Sequence, residues 1–262
     1  MADAPIRFDD GAAYERMMGV WSRSAGEVFL DWVAPKPGQR WLDVGCGNGA
    51  FTALIAQRCA PAELHGVDPS AGQLAYAKTR PDRGPAQFRE GQATALPFAD
   101  NSVDAATMAL VIFFVPEPAK GVAELARVVA PGGLAAAYAW DMPGGGFPFE
   151  PIFAPMRALG LAVAGPPSAD ASRSAALRDL WHGAGFQEVE TRTIAVERRF
   201  QDFEEYWTIG STGPGLGAAF AKMDPALVAR IKSATEASLK PNADGALTCT
   251  ARANAVKGRL PR

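Results

Sequence analysis

The chain has 262 residues, 48% of them hydrophobic and 21% charged, the make-up of a globular protein with one sizeable core or two small ones. A net charge of −2 leaves no basic stripe for a nucleic acid, and the longest apolar run, Ala105 to Val115, is too short to span a bilayer. Three scattered cysteines (Cys46, Cys59, Cys249), two histidines (His65, His182) and an opening MADAPIRFDDG without a charged-then-apolar pattern argue against disulfides, zinc and a signal peptide, so a cytoplasmic location is expected.

In chain order, Gly11 to Met18 reads as a short helix, and a second starts at Ser22 with Ala25, Phe29 and Val33 on one face. Pro35 to Gly38 ends it. Strands and helices then alternate: strand Arg40–Val44, helix Asn48–Cys59, strand Glu63–Val67, helix Ser70–Thr79, strand Gln87–Glu90, strand Val103–Phe113, helix Pro118–Val129 and strand Leu134–Trp140. This alternation predicts a parallel α/β sheet with right-handed crossovers, and the apolar run Val103–Phe113 belongs in its middle.

Beyond Trp140 the pattern loosens. Asp141–Pro167 is rich in Pro and Gly, Ser172–Ala184 is helical, and Phe186–Val196 reads as a strand. A second insertion, Gln201 to about Leu239, holds a helix opened by Asp224-Pro225, and Ala246–Val256 is a final half-covered strand. One domain over residues 1–262 is expected: a helical cover (1–38), a core (39–141) and two lid insertions (142–170 and 200–244).

WLDVGCGNGA, Trp41 to Ala50, carries the chemistry. Gly45, Gly47 and Gly49 sit between the first strand and the first helix, where an open α/β sheet binds its ligand. Without Cβ atoms there, backbone N–H groups can approach a ligand at a positively polarised helix start. Asp68 ends the second strand about 20 residues on, where a carboxylate can accept both hydroxyls of a ribose. A dinucleotide fits this loop loosely, with Ala50 standing for the third glycine. An adenosyl-methionine fits better, because Asp43 at the loop mouth would repel a pyrophosphate but not a zwitterionic amino acid bearing a sulfonium.

LDVGCGNG, GVDPS, GQATALPF and NSVDAATMALVIFFVPEPAKGVAELARVVAPGG, in that order, resemble the Rossmann-like class I S-adenosylmethionine-dependent methyltransferases. They are most similar to the methyltransferase type 11 and ubiquinone/menaquinone-biosynthesis-type group. The resemblance is strong over Arg40–Asp141. It implies a mostly parallel sheet with an antiparallel last strand, and S-adenosyl-L-methionine as cofactor. It implies that Asp43, Gly45, Gly47 and Gly49 line the methionine side and that Asp68 holds the ribose. Gln92 and Ala93 would meet the adenine, Leu96 and Pro69 would pack on its faces, and Ala109 and Leu110 would lie under the sulfonium. Tyr14 and Trp21, on the N-terminal helix, would close over the cofactor. Two departures stand out: Gln92 where many relatives carry Asp, and Phe113-Phe114 where they often carry His. The Gln carbonyl can still accept from an adenine amino group.

The implied reaction moves a methyl group to a small, partly aromatic or apolar acceptor. Asp141, closing the fifth strand, is the candidate base; a loop or capping carboxylate is the plainer alternative. His182 at a helix end, His65 in the second strand, and Glu204, Glu205 and Tyr206 are weaker candidates, better explained structurally. Phe147, Phe149, Phe153, Phe200, Phe203, Tyr206, Trp207 and Phe220 furnish an aromatic lid, with Trp140 and Trp207 as pocket residues. Gly144-Gly145-Gly146 and Gly213-Pro214-Gly215 are candidate hinges. A non-catalytic S-adenosylmethionine-binding sensor or scaffold and a nicotinamide-dependent oxidoreductase are the rival readings.

Overall fold

Seven strands form one sheet in the computed structural model, which describes residues 15–163, 165–213 and 216–262. They are β1 (Arg40–Val44), β2 (Glu63–Asp68), β3 (Gln87–Glu90), β4 (Val103–Ala109), β5 (Val129–Trp140), β6 (Gln187–Phe200) and β7 (Leu247–Arg259). Their order is β3-β2-β1-β4-β5-β7-β6. β1 to β5 pair in parallel, and β7 runs antiparallel to both β5 and β6. Strand order reverses between β1 and β4, which puts a crevice beyond their carboxyl ends.

Small residues let the layers close on this sheet. Ala105 and Ala106 of β4 and Ala135, Ala136 and Ala137 of β5 have no exposed surface, as expected for strands covered on both faces. α1 (Val20–Val33) packs against α2 (Ala50–Arg58), and α3 (Ala71–Thr79) packs on β2 and β3. α4 (Pro118–Val128) packs against α6 (Ser174–Gly183). Right-handed crossovers send α2 and α4 to opposite faces, because the chain leaves β1 in one direction and β4 in the other. The buried Trp41 and Trp181 indoles are satisfied by Thr107 Oγ1 at 3.2 Å and the Ala135 carbonyl at 3.0 Å. α5 (Glu150–Ala158), α7 (Phe203–Ser211), α8 (Leu216–Phe220) and α9 (Pro225–Ser238) make up the insertions. The Asp224 carboxylate caps α9 through the Ala226 N–H at 2.8 Å. No helix among the described residues is long and apolar enough to cross a membrane.

Several boundaries differ from the sequence expectation. The expected strand Val103–Phe113 stops at Ala109, because Leu110 takes φ +61° and the chain enters a 3₁₀ turn at Ile112–Phe114. Both segments are apolar because both are buried, so hydrophobicity could not separate them. Pro131-Gly132-Gly133 lies within β5, whose pairing with β4 shifts register between Val103 and Ala105. The second helix begins at Val20 with Gly19 as its N-cap, two residues before Ser22, and so includes Trp21. β6 continues four residues past Val196 to Phe200, which carries it well beyond the end of β5. The first half of the expected helix Gly11–Met18 lies outside the described residues; Glu15–Gly19 is a turn of π-helix.

Candidate active site

The loop after β1 hangs on the end of β2. The N–H groups of Gly45 and Cys46 both donate to the Val67 carbonyl, at 2.7 and 3.0 Å, and the Gly47 N–H donates to Asp68 Oδ2 at 2.9 Å. Gly45, Gly47 and Gly49 take φ of +73°, +51° and +78°, which only glycine adopts without strain. Gly49 has no side chain to cap α2, and Asn48 Oδ1 accepts from the Ala50 N–H at 3.1 Å at its start, where the helix is positively polarised.

Their reasons for being glycine differ. A Cβ on Gly45 would sit 2.4 Å from the Val111 side chain, and one on Gly49 3.0 Å from Ala77 Cβ and 3.2 Å from the Phe88 ring. A Cβ on Gly47 meets no atom of the described residues within 4 Å. Two of the three glycines therefore serve packing as well as conformation, and only Gly47 presents bare backbone to open space. Gly47→Ala should cost about 1 kcal/mol of stability from the positive φ alone. Gly45→Ala should cost more, and Val111→Ala in the same chain should restore part of that excess. Urea midpoints of the three variants measure this; equal losses for the two single variants would contradict it.

Asp43 is fully buried at the end of β1. Its Oδ2 accepts from Thr52 Oγ1 at 2.6 Å, while Oδ1 has no partner among the described residues. Burial, with Asp68 nearby adding a smaller push, raises this carboxyl from its usual 3.8 to about 7. Asp68 is better served: Oδ1 accepts from the Ser70 N–H at 2.8 Å and Oδ2 from Gly47. Burial still raises it above the ordinary range. Each Asp68 oxygen keeps one more acceptor site.

The remaining residues fall along the same edge. Leu110 begins the turn after Ala109 and donates its N–H to the Tyr138 carbonyl at 2.8 Å. A leucine at φ +61° is strained, and such strain gathers at functional sites. Gln92 and Pro69 are exposed, Ala93 is half-buried, and Leu96 is buried with its N–H donating to Glu124 Oε2 at 2.7 Å. Trp21 is fully buried against Phe200. Tyr14 lies outside the described residues. Trp140 and Trp207 are both buried, the latter stacked on Phe220 at 5.6 Å.

Asp141 is tied into a turn. It accepts from the Gly144 N–H at 3.2 Å and pairs with Arg252 at 3.1 Å, which also holds the Gly144 carbonyl. The Gly146 N–H donates to the Asp141 carbonyl and its own carbonyl receives the Arg252 N–H. Gly144–Gly146 is thus a pinned turn and not a free hinge. Gly213 abuts Met17; Pro214 and Gly215 lie outside the described residues. His65 is half-buried beside Glu63 and the Phe98 ring, with burial holding it below its usual range, a strand-packing role. Glu204 pairs with Lys232 on the surface.

The sequence reading missed Glu15, whose Oε2 accepts from Asn48 Nδ2 at 2.9 Å and lies 3.6 Å from Arg80. The cover is thereby tethered to the glycine loop. It also missed Thr52, whose place in the first turn after the loop was the one available signal.

Residues 42–137 match the family model described as a methyltransferase domain. Over that stretch the chain is similar to a methyltransferase domain. The chain is 40% identical over 134 residues to a demethylmenaquinone methyltransferase of Renibacterium salmoninarum, covering 50% of this chain and 54% of that one. The chain thus spans about half the length of the curated relatives it matches. A methyltransferase described as coming from an antibiotic biosynthesis pathway of Anabaena variabilis superposes with a TM-score of 0.63 at 16% identity, over 90% of this chain and 96% of that one. Phosphoethanolamine N-methyltransferase 2 of Haemonchus contortus, solved with phosphomonomethylethanolamine and S-adenosylhomocysteine, superposes with a TM-score of 0.58 at 20% identity. That match covers 97% of this chain and 58% of that one. The chain thus shares its fold with these structures.

Proposed function

We propose that the chain is an S-adenosylmethionine-dependent enzyme that methylates a small apolar or aromatic acceptor. The carrying observation is the loop itself: open backbone at Gly47, Asp68 with two spare acceptor sites, and an unpartnered Asp43 oxygen in a fully buried site. That donor and acceptor set fits a nucleoside with an amino-acid tail. Asp68 would hold the ribose hydroxyls. The open backbone at Gly47 and the positively polarised start of α2 would face the carboxylate. Asp43 would answer the ammonium charge, a role a pyrophosphate could not share. Leu96 and Ala93 would flank the adenine, with Gln92 as acceptor for its amino group.

When bound, S-adenosylmethionine supplies a methyl group on sulfur that is already electrophilic. The chain's task is then to hold the acceptor in line and keep water out, which can supply roughly 7–11 kcal/mol of barrier reduction. Leu110 and Tyr138 at the ends of β4 and β5 form the floor of that site, and Trp140 and the aromatic insertions wall it. We assign no nucleic-acid partner and place the activity in the cytoplasm, where the three buried thiols stay free.

Calorimetry with S-adenosylmethionine and with NADH tests the cofactor; binding of NADH alone would end this reading. Because Asp141 is held by Arg252 and a turn, Asp141→Asn should leave transfer of a labelled methyl group within about threefold of the parent. A base in the reaction would instead contribute about 10²–10⁴-fold, and a loss of that size would restore Asp141 as the base.

A further inference from the structure

α4 carries two stripes. Val122, Leu125 and Val128 are buried in the core. Gly121, Glu124 and Arg127, three residues apart and so neighbours on the helix surface, meet the segment between β3 and β4. A Cβ on Gly121 would lie 3.9 Å from Ala93 Cβ. Glu124 Oε2 accepts from the Leu96 N–H at 2.7 Å. Arg127 Nη2 donates to the Leu96 carbonyl at 3.1 Å, and its Nη1 to the Phe98 carbonyl at 2.8 Å.

The two side chains also hold each other. Arg127 Nε and Nη2 donate to Glu124 Oε1 and Oε2 at 2.7 and 2.8 Å, and Nη1 donates to Asp100 Oδ1 at 2.8 Å. With the two carbonyls, these bonds engage all five guanidinium N–H groups. The bonds from Arg127 hold the Glu124 carboxyl below its usual range, so it stays an acceptor at both oxygens at neutral pH. The segment so gripped has little structure of its own: one isolated bridge joins Gln92 to Ala95, whose N–H donates to the Gln92 carbonyl at 3.0 Å. At its start the Gly91 N–H donates to the Asp68 carbonyl at 3.2 Å. The stretch that holds Gln92, Ala93 and Leu96 is therefore fixed at one end to Asp68 and at the other to α4. Holding the N–H and the carbonyl of one residue, Leu96, from a single ion pair fixes that residue in rotation as well as in place.

We infer that Glu124 and Arg127 are positioning residues for cofactor binding, whose ion pair sets the placement of Gln92, Ala93 and Leu96 around the adenine. They act through the backbone of the segment and touch no ligand. This rests on the methyltransferase reading above, which puts those three residues at the adenine. A bidentate fork inside a network is the kind of ion pair that holds geometry, unlike a lone surface pair. Lysine is no substitute, because a point charge with three donors on a flexible stem cannot span two carbonyls and two carboxylates together.

The probes are S-adenosylhomocysteine and its purine analogue, which lacks only the amino group of the adenine, titrated by calorimetry into the full chain. The parent should bind the amino form roughly 3–10-fold more tightly, the size of one hydrogen bond. Gln92→Ala should erase that preference without moving the melting temperature. Arg127→Met should erase it too, although Gln92 is still present, and Arg127→Lys should keep only part of it. A merely structural role for Arg127 would lower the melting temperature and weaken both ligands alike, leaving their ratio at the parental value. A parental ratio in Arg127→Met, or in Arg127→Lys should the methionine variant not fold, overturns the proposal. So does a parent that binds both ligands equally, or a preference that survives Gln92→Ala. Failure of the parent to bind S-adenosylhomocysteine overturns the methyltransferase reading instead.

Discussion

Asp68→Ala should weaken S-adenosylmethionine binding by about 10²-fold or more, because hydrogen bonds to a charged acceptor are worth roughly 1.5–3 kcal/mol each. Two such bonds to ribose hydroxyls are at stake. The substitution also strips the N–H groups of Gly47 and Ser70 of their acceptor. Gly47 then loses the tie that fixes its position, and the loop that seats the amino-acid tail loosens with it. Asp68→Asn divides the two effects in part. An amide keeps one acceptor oxygen, so it retains the tie to Gly47 or to Ser70 but not both, and should cost less stability than alanine while still losing most of the ribose affinity. Calorimetry on both variants, with thermal melting as the control for folding, gives the comparison. Unchanged affinity in a folded Asp68→Ala chain would remove the ribose role and, with it, the main support for the cofactor.

The core of this site was legible in the sequence because its signals are local. Strand β1 is a short apolar run, the glycines follow at once, and Asp68 ends the next strand within one βαβ unit. What could not be read depends on partners far along the chain. Gly45 is required by Val111 and Gly49 by Ala77 and Phe88, contacts that exist only once β4, α3 and β3 are in place. Asp141 was placed correctly at the end of β5, but Arg252, which engages it, is 111 residues away. Leu110 at positive φ leaves no trace, since a leucine there reads as more strand.

Asp43 offers the clearest test of a group held for a ligand at the expense of the free fold. Its carboxyl titrates near 7 in the folded chain, mainly through burial, against 3.8 for an ordinary aspartate. The folded state therefore binds the proton more tightly than the unfolded one. The stability associated with that proton is fully present below about pH 4 and is lost as pH rises toward 7. Above that, the fold carries a buried charge at a cost of about 4 kcal/mol, from 1.36 kcal/mol per tenfold change in proton affinity. Asp43→Asn has no proton to lose. It should match the parent near pH 4 and exceed its stability by up to that amount at pH 8, with the gap opening between pH 4 and 7 in urea titrations. The same variant should bind S-adenosylmethionine more weakly, since an ammonium group beside Asp43 draws its carboxyl back toward the ionised form. Binding to the parent should accordingly release a proton below pH 7 and tighten as pH rises, and binding to the variant should do neither. A stability difference that stays flat from pH 4 to 8 would show that Asp43 is ionised without penalty in the free chain, and that its unpartnered oxygen is not waiting for a cation.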